Sequence, residues 1–379
     1  MKTKTANIYL NNFRHNIRAV RSLYSKDVNI CIPVKAQAYG HGAVRMAYEA
    51  LEEGVQYLAV ATVDEGVQLR KEGIPCPILV LSLLDDSEID ALVSFRLSGL
   101  VHSIDYCKKI AEKAAELKTE AFVHIKIDTG MSRIGCKPEL ALLLARFIHS
   151  CSNLVLQGMC THLSVSDSLL ENDIAFTKKQ IALFKQTVLA IQDCGINTGL
   201  IHCSNSGAVF LHPEACFDMI RPGIAVYGYF PDRSIAEYMA RTYPSFEGLK
   251  PVMEVCSKIE QIKTINEGQE VSYGRTWKAE KKTRIATIPL GYADGLWRRF
   301  SPGVLLSIKG KKYPIVGRIC MDQCMADIGE SSDIKEGDTV IFFGPGEGSM
   351  TADDFAQVAG TISYEVLCAV GQRVVRNYI

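Results

Sequence analysis

Apolar positions in the first two-thirds of the chain come in short continuous runs rather than in alternation. "NICIPVK" (29–35), "YLAVAT" (57–62), "PILVLS" (77–82), "SGLVHS" (98–103), "AFVHIKID" (121–128), "LVLQGMCTH" (154–162), "LIHCSNS" (200–206) and "DMIRPGIAVYG" (218–228) each read as a strand. Between most of them lie amphipathic stretches such as "AVRMAYEALEEG" and "TVDEGVQLRKEG". The second ends on Gly73 with Pro75 just beyond, a helix stop signal. Strands that are apolar throughout and separated by helices imply a parallel sheet covered on both faces. Eight of them in succession predict a closed (β/α)₈ barrel, a TIM-like α/β fold. The competing architecture, an open doubly wound sheet, lacks its G-x-G-x-x-G fingerprint here.

After about residue 240 the pattern changes. "MEVCSKIEQIKTI", "TRIATIPLGY", "GVLLSIKGKKYPIVGRICMDQCMADI" and "DTVIFFG" are strand-like and separated by Gly, Pro and Asn turns, with helical patterns returning only at "TADDFAQVAG" and "SYEVLCAVGQRVV". The expected division is a barrel domain over residues 1–240 and a C-terminal β-rich domain over 241–379. The N-terminal "TANIYL" leaves open whether residues 1–10 add a strand to the second domain.

Composition narrows the function classes. Lys plus Arg equals Asp plus Glu at 42 each, so there is no electrostatic footprint for nucleic acid. No apolar run approaches the roughly 18 residues of a membrane span. The opening "MKTKTANIYLNNFRHN" has no apolar h-region and is not expected to be a secretory signal. The 13 cysteines are scattered singly, with no C-x-x-C framework, and are expected to be reduced thiols of a cytoplasmic protein. Cys320 and Cys324 have no histidines nearby, and no metal site is expected.

A (β/α)₈ barrel presents its chemistry at the C-terminal ends of its strands. Lys35 ends the first strand, Lys126 and Asp128 the fifth, His162 the sixth, and His202, Ser204, Asn205 and Ser206 the seventh. Arg221 and Gly223 lie in or just after the eighth. Lys35 admits two readings. It is either a solvated lysine at a strand terminus or a Schiff-base lysine whose amine is freed by burial and neighbouring cations. The apolar approach "CIPV" and the Gly-containing turn "AYGHGA" favour the second, with the glycines expected to let the chain turn tightly. The loops "SNSGA" and "RPGIAVYG" offer hydroxyls and free backbone N–H groups suited to phosphate, although each alone reads equally as a polar turn. An aldehyde-accepting lysine beside a phosphate cradle describes a site for pyridoxal 5′-phosphate (PLP).

The chain resembles the alanine racemase family. "VKAQAYGHGA" is similar to that family's PLP-attachment signature. "DTGMSRIG", "MCTHLSVSD", "HCSNSGA", "IRPGIAVYG", "VSYGRTW", "IPLGYADG", "VGRICMDQ" and "ISYEVLC" follow in the family's order over nearly the whole length. The resemblance implies PLP-dependent interconversion of L-alanine and D-alanine, supplying D-alanine for peptidoglycan. A serine or broad-specificity racemase on the same fold is the alternative. It implies that Lys35 holds PLP and acts as one acid/base. Tyr39, Ser206, Gly223, Ile224 and Tyr364 would contact the phosphate, with Asn205 beside them. Arg133 would hold the cofactor's phenolic oxygen and the substrate carboxylate.

Arg221 would face the pyridine nitrogen. A guanidinium accepts no hydrogen bond, so it would keep that nitrogen unprotonated; a structural ion pair is the other reading of this residue. Racemisation needs a proton to leave one face and return on the other, which two opposed bases accomplish. The resemblance assigns Tyr273 as the second base, reaching the barrel mouth of the other subunit of a head-to-tail homodimer. A phenol, with a pKa of about 10, needs positive charge or a hydrogen-bond relay to serve, and His162 and Arg221 are the candidates. Taken alone, His162 or Tyr273 reads as a structural residue. Met321 would offer its backbone N–H to the substrate carboxylate from the second subunit, and Tyr292, Asp167, Arg298 and Arg318 would form a polar entry corridor. Lys126, a second cation near Arg133, is expected to be carbamylated. Three places depart from the family pattern: Gln37 where Asn or Asp is usual, Ser132 where Gly or Thr is usual, and "LSVSD" after His162.

Overall fold

The computed structural model describes residues 4–379; the first three residues of the expected barrel domain lie outside the described residues. The N-terminal strand is β1 (Thr5–Ile8). Eight parallel strands follow: β2 (Asn29–Pro33), β3 (Tyr57–Val60), β4 (Ile78–Val80), β5 (Ser98–Val101), β6 (Ala121–Lys126), β7 (Leu154–Cys160), β8 (Leu200–His202) and β9 (Met219–Ile220). They form one 8-stranded sheet in the order β8-β7-β6-β5-β4-β3-β2-β9, each inside one of the apolar runs of the sequence. The last strand is only two residues long, so β8 and β9 share no regular ladder. The seam is closed instead by Asp218 N–H to Ile201 O (2.9 Å), Arg221 N–H to Ser204 O (2.9 Å) and Ile201 N–H to the Asp218 carboxylate (2.7 Å). The barrel interior is packed by Cys31, Ala59, Leu79, Leu100, Cys160 and Met219, one apolar residue from each of several strands.

The helices form for local reasons. "TVDEGVQLRKEG" folds as the helix Val63–Lys71 because Thr62 and Glu65 make a reciprocal capping box, and Gly73 leaves it at φ 82°. "AVRMAYEALEEG" gives the helix Ala43–Glu52, whose Met46, Ala47 and Ala50 face the core.

The rest of the chain is β10 (Met253–Lys258), β11 (Gln261–Ile265), β12 (Glu270–Val271), β13 (Trp277–Lys278), β14 (Thr283–Ile288), β15 (Leu305–Ile308), β16 (Lys311–Pro314), β17 (Cys324–Gly329), β18 (Thr339–Phe343) and β19 (Val375–Tyr378). A 6-stranded sheet runs β16-β15-β18-β10-β1-β19, and a 3-stranded sheet runs β11-β14-β17. Strand β1 lies in this sheet, antiparallel to β10 (Ile8 opposite Met253) and parallel to β19 (Thr5 opposite Val375). The first and last strands are thus neighbours. The helical pattern expected over "SYEVLCAVGQRVV" is shorter than its sequence suggests: it spans Ser363–Cys368. Beyond it the Gly371 N–H goes to Asp294 O (3.0 Å), and Val375 is drawn into the sheet by its bond to Lys4 O (3.1 Å). No helix among the described residues is long and apolar enough to cross a membrane.

Candidate active site

The strand ends of the barrel surround a cavity of about 590 Å³. Lys35 enters it from the end of β2, Lys126 from β6, His162 from just past β7, Asn205 and Ser206 from past β8, and Arg221 and Gly223 from past β9. Arg133, Asp167 and Tyr364 complete the expected set at this wall, and Cys368, to which no role is assigned, lines it too. Ile224, wholly buried, begins the turn that follows Gly223.

The turn after Lys35 uses its glycines as expected, Gly40 at φ 84° and Gly42 at φ 100°, but the four residues before Gly40 share its left-handed backbone. Ala36, Gln37, Ala38 and Tyr39 all have φ between 50 and 55°, one turn of left-handed helix. Each such residue costs about 1–2 kcal/mol, so the surroundings must hold it. Ala36 N–H is bound by Glu65 (2.7 Å), Gly42 N–H by Gln37 O (2.7 Å), and Gly40 O by the Arg376 Nε–H (2.8 Å). His41, a residue without a role on sequence grounds, is the internal clamp. It is fully buried and its Nδ1 lies 2.9 Å from both the Ala38 and Tyr39 carbonyls. Carbonyls only accept, so Nδ1 carries the proton. Burial, its first cause, pushes the His41 pKa down to about 4, and the ring stays neutral. Gln37 sits at a left-handed position that Asn or Asp would occupy more easily; its amide oxygen instead accepts from Ala43 N–H (3.3 Å). The glycines also matter for space, since a Cβ on Gly42 would lie 2.0 Å from the Tyr378 hydroxyl.

Electrostatics favour neutral amines here. Burial, then the Arg133 guanidinium, lowers the Lys35 pKa. Lys126 is 6% exposed; its burial and the nearby Arg221 and Arg133 bring its pKa down to about 8. Arg221 has no ion pair among the described residues, so the structural ion-pair reading fails. Its guanidinium donates to His202 Nδ1 (2.6 Å), Thr161 O (3.0 Å), Cys203 O (3.3 Å) and, at a longer 3.4 Å, His162 Nδ1. Burial and Arg221 hold His162 well below the ordinary histidine range.

Opposite lies a cradle of hydroxyls. Ser206 Oγ accepts Gly223 N–H (2.8 Å) and Ala225 N–H (3.4 Å). A Cβ on Gly223 would fall 2.8 Å from the Tyr39 hydroxyl, so the backbone there is bare where an anion would approach. The Tyr39 and Tyr364 rings are 6.0 Å apart. An amine held neutral on one side and hydroxyls with bare backbone on the other fit an aldehyde carrying a phosphate. Asn205 is occupied in holding this wall, accepting from Ser166 Oγ (2.7 Å) and Ala208 N–H (3.1 Å) and donating to Leu163 O (3.2 Å).

Five of the expected residues on the second domain do not line this cavity. Tyr273 edges a separate surface hollow with Ser272 and Cys320, and is 72% exposed. Met321, Arg318, Arg298 and Tyr292 are exposed as well. Tyr292 and Met321 belong to two loops tied together by Tyr292 N–H to Cys320 O and Ala293 N–H to Met321 O, both 3.0 Å. Of the expected corridor, only Asp167 reaches the barrel cavity.

The family models for the alanine racemase N-terminal and C-terminal domains match residues 8–231 and 252–378. The chain is 48% identical to the alanine racemase of Treponema denticola, covering 100% of this chain and 99% of that one. It is 42% identical to the alanine racemase of Treponema pallidum, with 100% of both covered. The structure of the Clostridium difficile alanine racemase matches with a TM-score of 0.93 at 38% identity, over 100% of this chain and 96% of that one. This chain belongs to the alanine racemase family.

Proposed function

We propose that the chain interconverts L-alanine and D-alanine with PLP, as a cytoplasmic homodimer, supplying D-alanine for peptidoglycan. The observation that carries the reading is the Lys35 amine, its pKa lowered by burial and Arg133, in one cavity with a hydroxyl cradle and an arginine that has no carboxylate partner. PLP bound there would supply a sink for negative charge developing at the substrate Cα. Lys35 would hold it covalently, and Tyr39, Ser206, Gly223, Ile224 and Tyr364 its phosphate. Arg221 would face its ring nitrogen, where a donor-only group limits how far charge spreads. Arg133 and, from a second copy of the chain, the Met321 N–H would hold the substrate carboxylate.

Lys35 would take or give the Cα proton on one face. Tyr273 would serve the other face, and its exposure on the far domain fits a residue that completes the site of a second copy. Arg221 cannot accept, so His162 Nδ1 accepts from it and the His162 proton sits on Nε2. That N–H is then available to stabilise the partner subunit's Tyr273 as phenolate. Lys126 would be N-carboxylated. With a pKa of about 8, roughly a tenth of its amine is neutral at pH 7. That form can add CO₂ and lose a proton, replacing a buried cation beside Arg133 with an anion. Carbon-13 NMR in labelled bicarbonate should show one carbamate signal, absent in Lys126→Ala.

The test of the whole reading is purification with PLP, an absorption band near that of a lysine-bound aldehyde, and loss of optical rotation in L-alanine, with L-serine and L-lysine as controls. A colourless protein without racemisation overturns it, and equal rates on L-serine select the broad-specificity alternative.

A further inference from the structure

Arg221 is the inner end of a chain of buried imidazoles whose polarity it dictates. It has donors only, so its NH1 donates to His202 Nδ1 at 2.6 Å, and His202 must carry its proton on Nε2. That nitrogen lies 3.0 Å from His124 Nδ1, so His124 accepts there and carries its own proton on Nε2. Both rings are 0% exposed. Burial, then Arg221, holds His202 well below the ordinary range and takes His124 down to about 3, so neither ring gains a second proton near neutrality. The outer His124 Nε2 has no partner at hydrogen-bonding distance; the Gln157 side chain, bonded to Ser98 Oγ at 2.5 Å, lies on that side.

The barrel is built to seat this ring. Strand β6 faces β7 with Val123 opposite Leu156 and His124 opposite Gly158, so Gln157 is bulged out of register. A Cβ on Gly158 would lie 2.5 Å from His124 Nδ1 and 2.4 Å from Leu200 O, so the ring and the β8 backbone both close on this bare position. His124 stands two residues before Lys126, on the same inward face of the strand.

We propose that His124 is a positioning residue for the racemase site. By accepting the His202 Nε2–H, it fixes the tautomer of His202 and thereby the direction in which Arg221 presents its guanidinium to the cavity. Without that acceptor, the His202 Nε2–H is buried and unpaired. Moving the proton to Nδ1 relieves this but sets N–H against the Arg221 N–H, and Arg221 must turn away. The inference rests on the reading above that Arg221 faces the cofactor ring.

The test begins with the unaltered holoenzyme, labelled with nitrogen-15 histidine. Long-range NMR between pH 6 and 8 should show His124 and His202 each singly protonated on Nε2. A proton on Nδ1 of either ring, or a doubly protonated ring, overturns the proposal, and this readout needs neither turnover nor a variant that folds. In His124→Leu, His202 should leave the Nε2–H tautomer, the bound-cofactor absorption should shift, and kcat should fall about 10-fold or more with KM within about 2-fold. His124→Asn, whose Oδ1 overlays the lost acceptor, should recover kcat to within about 3-fold of the unaltered enzyme. Equal rates for the Leu and Asn variants, or an unchanged His202 tautomer in His124→Leu, sink the idea. If the unaltered protein takes up no PLP, the functional reading fails while the tautomer assignment is still measured.

Discussion

The barrel mouth and the face of the second domain carry the two halves of the expected chemistry in opposite physical states. At the mouth, Lys126, His202 and Arg221 are each less than 9% exposed, and their charges are set by burial and by one another. On the second domain Tyr273, Met321 and Tyr292 are 72, 53 and 41% exposed. Large side chains left open in a cluster mark a surface that expects a partner. The difference teaches that within one chain the lysine side is enclosed and the tyrosine side stays open, which is the state the proposed homodimer requires.

The sharpest way to break this comparison is complementation. Lys35→Ala and Tyr273→Phe should each abolish most activity. If the halves come from different chains, mixing and exchanging subunits should restore about a quarter of the unaltered activity, because about half the dimers are mixed and each has one intact site. No recovery would place Tyr273 in its own chain's site. The next effect is smaller and directional. Tyr273→Phe should slow α-proton exchange from one alanine enantiomer about 100-fold or more and from the other much less, measured by deuterium uptake from heavy water. Equal small losses would make Tyr273 a structural residue.

The smallest effect separates the two regions by stability. All 8 histidines precede residue 213. His41, His124, His162 and His202 have folded pKa values depressed by burial, His41 to about 4 and His124 to about 3. The unfolded chain, with ordinary histidines near pKa 6.5, therefore binds protons first as pH falls. The stability from keeping these rings neutral is fully present above about pH 6.5 and is lost on the way down through the folded values. Hydrogen exchange from pH 7 to 4.5 should lose protection in barrel strands such as β6 and β8 before β14 and β17. Uniform loss would remove the contrast.

The continuous apolar runs made the eight-stranded barrel legible, because a strand buried on both faces must be apolar along its whole length. They also located Lys35, Lys126, His162 and Arg221, since strand ends in such a barrel are the mouth. The closing helix was harder to read: "SYEVLCAVGQRVV" has helical texture throughout, but pairing with β1 pulls its end into the sheet. His41 and His124 were opaque for a related reason. Nothing local in "AYGHGA" says that a histidine will bind the carbonyls of a left-handed turn, and nothing in "VHIK" says that a bulge 33 residues on, at Gln157, will open a seat for one ring against another.

Sequence by itself determined the strand count, the order of motifs, the family and the residue types at the mouth, because periodicity and motif spacing are local. Only the tertiary structure decided that β1 sits between β10 and β19 in the six-stranded sheet, that Ala36 to Tyr39 join the glycines in a left-handed turn, and that Arg221 sets the tautomers of two histidines. Each of these depends on groups far apart in the chain meeting at hydrogen-bonding distance in a dry interior, where an unpaired donor is costly and the direction of every proton is therefore constrained.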